Sequence, residues 1–152
     1  GSGIALAEAY DGAVADKTRR LTALSVRNQV GAGADMLIAG FVLVGDAPKR
    51  VIVRGLGPGI AGAVSAYLAD PRVQVYRLKA DRSGWDMVAE NDDWDGTTAT
   101  ADAFDAVGMG ALRAGSKDAA LIVELAPGIY TAQLSGSGGA TGVGLVEIYE
   151  AP

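Results

Sequence analysis

Twenty-two glycines divide this 152-residue chain into short runs rich in Val, Ile, Leu and Tyr. That spacing favours strands closed by turns over helices. Nine candidate strands fall at residues 4–10, 21–27, 36–44, 50–56, 73–79, 85–90, 119–125, 129–135 and 143–149. Two Ala-rich stretches without internal Pro, 60–69 and 99–107, read as short helices capping openings between strands. The expected fold is all-β: an antiparallel β-sandwich, or a jelly-roll-like variant, with about nine strands and one or two short capping helices.

The run Met36-Leu37-Ile38-Ala39-Gly40-Phe41-Val42-Leu43-Val44 is continuously apolar, as expected of a central strand covered on both faces. Gly45-Asp46-Ala47-Pro48-Lys49 supplies a turn after it, so 36–44 and 50–54 are expected to form a hairpin. Ala126-Pro127-Gly128 is expected to close a second hairpin between 119–125 and 129–135.

With 49% hydrophobic and 20% charged residues the chain has ample material for one folded domain. No apolar run approaches the roughly 20 residues that span a bilayer. A net charge of −5, with Arg19, Arg20, Lys49, Arg50 and Arg54 scattered among acids, offers no basic surface for phosphates, and nucleic acid is not an expected partner. The chain contains neither Cys nor His. Thiolate and imidazole catalysis and the commonest zinc ligands are thereby removed, and the chain reads as a non-enzyme. It opens at Gly1 without Met or a signal core, which reads as a fragment or processed product with Gly1-Ser2 a cloning scar and any export signal upstream.

The two ends repeat one another. Residues 3–11 (Gly-Ile-Ala-Leu-Ala-Glu-Ala-Tyr-Asp) align without a gap on residues 142–150 (Gly-Val-Gly-Leu-Val-Glu-Ile-Tyr-Glu), at an offset of 139. The division expected from this is an extra strand at 1–11, equivalent to 142–150, and a β-sandwich domain at 12–152. A period this long fits an array of whole domains, not a solenoid. Ile4, Leu6, Glu8 and Tyr10 correspond to Val143, Leu145, Glu147 and Tyr149, and these are the candidate assembly residues. A strand with unpaired backbone groups can complete a neighbour's sheet. Either glutamate shares a strand face with Leu and Tyr, and Arg54 is a candidate partner; an edge charge that discourages aggregation is the other reading.

Three further motifs bear on chemistry. Asn91, Asp92, Asp93 and Asp95 concentrate hard oxygen ligands beside a turn, as a calcium ion requires, although the spacing is not that of an EF-hand; a solvated Asx-turn is the alternative. Gly57-Pro58-Gly59-Ile60-Ala61-Gly62 matches G-x-G-x-x-G after a strand, but no further β-α-β unit follows, and a glycine-rich turn fits better than nucleotide binding. Ser116-Lys117 reads as a polar turn, since adjacent strand residues face opposite ways.

In order along the chain, Leu21-Thr22-Ala23-Leu24-Ser25-Val26-Arg27, Leu37 to Val42, Val53-Arg54-Gly55-Leu56-Gly57-Pro58, Asn91-Asp92-Asp93-Trp94 and Gly142 to Tyr149 give a sequence that resembles an uncharacterised β-rich tandem repeat domain of large secreted bacterial proteins. The half from Val73 to Thr131 is also similar to the bacterial pre-peptidase C-terminal domain, some relatives of which bind calcium near the acidic segment. The resemblance implies export to the extracellular space or cell surface and a multidomain context. The expected function is therefore structural: a module that joins copies of itself or neighbouring repeats by terminal strand exchange, with no required cofactor. The alternative is an accessory domain of a secreted enzyme that binds calcium or glycan, with Trp85, Trp94 and Tyr76 as candidate sugar platforms.

Overall fold

The computed structural model describes residues 6–8 and 21–152. Eight strands follow in order: β1 (Ala23–Val30), β2 (Leu37–Leu43), β3 (Lys49–Leu56), β4 (Pro71–Leu78), β5 (Trp85–Asn91), β6 (Ala119–Leu125), β7 (Gly128–Gly136) and β8 (Gly142–Glu150). A single α-helix among the described residues, α1 (Thr98–Ala106), lies between β5 and β6. The strands form two antiparallel four-stranded sheets, ordered β1-β8-β3-β6 and β2-β7-β4-β5. This is a sandwich with jelly-roll connectivity. The expected strand at 4–10 falls outside the described residues except for Leu6, Ala7 and Glu8, which are exposed and belong to no strand. No described helix is long and apolar enough to cross a membrane.

The period-2 alternation of each strand sends one residue set between the sheets. Val51, Val53, Val146 and Ile148 from one sheet meet Val73, Val75, Tyr130, Ala132 and Leu134 from the other. The first sheet also has a covered outer face. The β5–β6 connection, including α1, lays Trp94, Phe104 and Met109 over Ile52 and Ala120, forming a second, smaller core.

That cover explains a difference from the sequence reading. The strand buried on both faces is β3, not the 36–44 run: residues Val51 through Leu56 are all buried. β2 is an edge strand, and its outward residues Ile38, Gly40 and Val42 are exposed. Of the two, β2 is the uncharged one and β3 carries Lys49, Arg50 and Arg54, yet it is β3 that the 92–118 segment covers.

Both expected hairpins also give way to crossings. β2 and β3 belong to different sheets, as do β6 and β7, because in this connectivity every link except β4–β5 passes from one sheet to the other. At Ala126-Pro127-Gly128 the crossing is pinned by the Tyr130 hydroxyl, which donates to the Ala126 carbonyl at 2.6 Å. The helix expected at 60–69 contracts to one 3₁₀ turn, Pro58–Ile60, followed by irregular turns. Gly57, Gly59 and Gly62 lie in or beside it, each costing about 1 kcal/mol relative to Ala in a helix. The backbone there is used otherwise: Leu68 N–H donates to the Val143 carbonyl and Val143 N–H to the Ala66 carbonyl.

Candidate assembly slot

The C-terminal half of the repeated pair, β8, occupies the gap between β1 and β3. Tyr149 stands opposite Ala23 and Ile52, Glu147 opposite Ser25 and Arg54, and Leu145 opposite Arg27 and Leu56. Gly142, Gly144, Val146 and Ile148 are buried, while Val143, Leu145, Glu147 and Tyr149 form the other face.

Two features set the register of whatever strand lies there. The first is an ion pair: Glu147 Oε2 accepts from Arg54 Nε at 2.9 Å and from Nη2 at 2.5 Å. Arg54 is only 3% exposed. Its remaining Nη1 donates to the Gly110 carbonyl at 2.6 Å, and its guanidinium lies 4.9 Å from the Phe104 ring centroid. The arginine is thus held from three sides, and a buried guanidinium left without its carboxylate would be strongly unfavourable. At the end of the strand Lys49 Nζ meets Glu150 Oε1 at 2.8 Å.

The second feature is a glycine. A Cβ on Gly142 would come within 2.6 Å of the Tyr67 backbone, so only glycine fits at this position. Gly144 is tight against side chains instead, 2.6 Å from a Leu134 methyl. In the copy at 3–11 the residue equivalent to Gly142 is Gly3, and the residue equivalent to Glu147 is Glu8.

The residues expected as calcium ligands all have partners within the protein. Asn91 Oδ1 accepts from Ala120 N–H at 2.9 Å. Asp92 Oδ2 accepts from the Ser137 hydroxyl at 3.4 Å. Asp93 pairs with Lys117 at 2.7 Å, a contact that raises the lysine pKa, with Asp70 and Asp92 adding to the effect. Asp95 Oδ1 accepts from Thr97 N–H and Oδ2 from the Thr100 hydroxyl, anchoring the start of α1. The Thr97 amide leads in holding the Asp95 pKa below the usual carboxylate range; burial opposes it, and the Thr100 and Thr97 hydroxyls add to the lowering. Among the described residues no group of three or more acidic side chains is gathered as a metal cage.

The glycine-rich turn holds an anion, and the anion belongs to the protein. Asp118, fully buried, accepts from Gly57 N–H at 2.8 Å and Gly59 N–H at 2.9 Å through Oδ1, and from the Ser116 hydroxyl through Oδ2. The two amides on either side of Pro58 converge on one carboxylate, much as backbone amides elsewhere converge on phosphate, and here an internal side chain takes that place. Of the aromatic residues, Trp94 is a packing anchor: it is buried, lies 6.1 Å from the Phe104 ring, and donates from Nε1 to the Arg113 carbonyl. Trp85 is exposed on β5 and Tyr76 partly so on β4.

No protein-family model and no curated protein matches the chain.

Proposed function

We propose that this chain is a structural module of a secreted or cell-surface bacterial repeat protein, which joins subunits by exchanging terminal strands in the slot between β1 and β3. One observation carries the reading. The face of the strand in that slot turned away from the core between the sheets is Val143, Leu145, Glu147 and Tyr149, and residues 4, 6, 8 and 10 repeat it as Ile, Leu, Glu and Tyr. Placed in the slot, the copy would bring Gly3 to the glycine-only position and Glu8 to Arg54. Its core-facing residues would be Gly3, Ala5, Ala7 and Ala9 in place of Gly142, Gly144, Val146 and Ile148. Losing the Val and Ile side chains costs several kcal/mol, at about 0.8 kcal/mol per buried CH₂ plus cavity terms. The resident β8 is thus the stronger occupant, and Leu6 to Glu8 stand exposed outside the sheets.

Cross-linking tests this, aided by the absence of native cysteine. Arg27 faces Leu145 in the ladder, and residues opposed across antiparallel strands are within disulfide reach. An Arg27→Cys/Leu145→Cys variant closes within one chain. An Arg27→Cys/Leu6→Cys variant is expected to give covalent ladders between chains, and its failure to do so while the control closes sinks the proposal.

A second reading has its own support. Tyr76 opposes Met87 and Leu78 opposes Trp85, so apolar and aromatic groups share the outer face of the second sheet, suited to stacking on a glycan. A change in Trp fluorescence on adding soluble polysaccharide, lost in Trp85→Ala, would favour an accessory domain over an assembly module.

A further inference from the structure

The four sheet edges are not alike. β5 carries Asp86 and Glu90 and is bulged where its register with β4 shifts beside Val75 and Tyr76. β6 carries Glu124 and β1 carries Arg27. Charges and bulges are the usual devices that keep an edge strand from pairing with another molecule. β2 has none of them: Leu37-Ile38-Ala39-Gly40-Phe41-Val42-Leu43 contains no charge and no proline. Among the described residues it pairs with β7 alone. Its core face is anchored, with Leu37 and Ala39 buried and Phe41 stacked on Tyr130 at 5.4 Å. Its outer face leaves Ile38 52% and Val42 61% exposed, and Val44 just beyond is 70% exposed.

We infer that β2 is an interface with a second copy of this chain, pairing antiparallel with its own equivalent about Gly40 and joining two four-stranded sheets into one of eight. The occupant follows from charge. Each other edge among the described strands carries a charge, Asp86 and Glu90 on β5, Glu124 on β6 and Arg27 on β1, whereas β2 meets itself with no charge to desolvate. Register also follows. Centred on Gly40, each Ile38 opposes Val42 of the second copy, Leu37 opposes Leu43 and Ala39 opposes Phe41, so every cross-strand pair is apolar. The contact is isologous and closes as a two-fold dimer. It is independent of the terminal strands, because β2 and the slot lie in different sheets.

The test uses the full chain in three variants, with mass read by light scattering over a concentration series. A Cβ at Gly40 has open space, its nearest atom being the Tyr130 carbonyl oxygen at 3.9 Å. Gly40→Cys should therefore form a disulfide dimer under mild oxidation, since position 40 faces itself only in this register. Val42→Lys, exposed and so compatible with an unchanged circular dichroism spectrum, should weaken dimerisation at least tenfold. Glu8→Arg sets like charge against Arg54 in the strand slot and should leave the dimer intact. Failure of Gly40→Cys to cross-link, or a dissociation constant for Val42→Lys within twofold of the parent, overturns the inference. Loss of association in Glu8→Arg but not in Val42→Lys would overturn it while leaving the strand-exchange reading standing.

Discussion

Replacing Asp118 by alanine offers the sharpest test of how this fold holds its glycine-rich turn. The carboxylate is buried, and its Oδ1 takes the Gly57 and Gly59 amides at 2.8 and 2.9 Å while Oδ2 takes the Ser116 hydroxyl. A hydrogen bond to a charged group contributes about 1.5–3 kcal/mol, and each buried donor left unsatisfied costs about 1–3 kcal/mol. Relief of the carboxylate's own desolvation offsets part of this, leaving a net loss of about 4 kcal/mol. Against a total stability of about 5–15 kcal/mol for a domain that is a large fraction. With a urea m-value of about 2 kcal/mol/M the midpoint should fall by about 2 M, and the melting temperature by about 8–16 °C. Asp118→Asn keeps one acceptor and should lose about half as much, and Ser116→Ala less again. Equilibrium urea unfolding followed by circular dichroism reads all three. A loss below 1 kcal/mol for Asp118→Ala would refute the claim that this carboxylate organises the turn.

Arg54→Met strands Glu147 against a low-dielectric surface and should cost about 3–5 kcal/mol, whereas the double variant Arg54→Met/Glu147→Leu should recover most of that loss; denaturant midpoints of the two decide it. Gly142→Ala drives a Cβ into the Tyr67 backbone and should destabilise by about 1–3 kcal/mol, while Gly40→Ala, with open space, should change stability little on thermal melting. Phe104→Ala empties the centre of the outer core and should cost about 3–5 kcal/mol, read as a shift in urea midpoint. Asp95, whose folded pKa is depressed by the Thr97 amide, supplies stability that is present above the unfolded carboxylate pKa of about 3.9 and lost as pH falls through the lower folded value. Asp95→Asn should flatten that part of the acid limb, measured by melting from pH 5 to pH 2.

The positions of eight strands were readable because glycine and turn residues end each apolar run close to where the ladders end. Their pairing was not. Neighbouring runs suggest hairpins, but in this connectivity a turn such as Gly45 to Pro48 carries the chain to the opposite sheet, and sequence proximity has no bearing on which sheet receives a strand. The same limit hid the contrast between β2 and β3. The less apolar strand, β3, interrupted by Lys49, Arg50 and Arg54, is the one covered on both faces, because Trp94, Phe104 and Met109 are placed over Ile52 by tertiary structure. The Arg54–Glu147 pair was legible, because a lone glutamate on an apolar strand face calls for a cation and Arg54 sits in another such strand. Asp118 was missed, since its partners Gly57 and Gly59 lie far away in sequence. A carboxylate immediately before Ala119-Ala120-Leu121 was the available signal, as an acid entering a buried strand needs donors nearby.

Assembly through the terminal strands is tested by molar mass from light scattering, measured for the full chain and for residues 12–152 across a concentration series. Pairing through β2 closes at two copies, whereas strand exchange between unlike ends is open and can continue. The full chain is therefore expected to grow beyond a dimer with concentration while residues 12–152 stop at one. Identical masses for the two at every concentration would contradict terminal strand exchange.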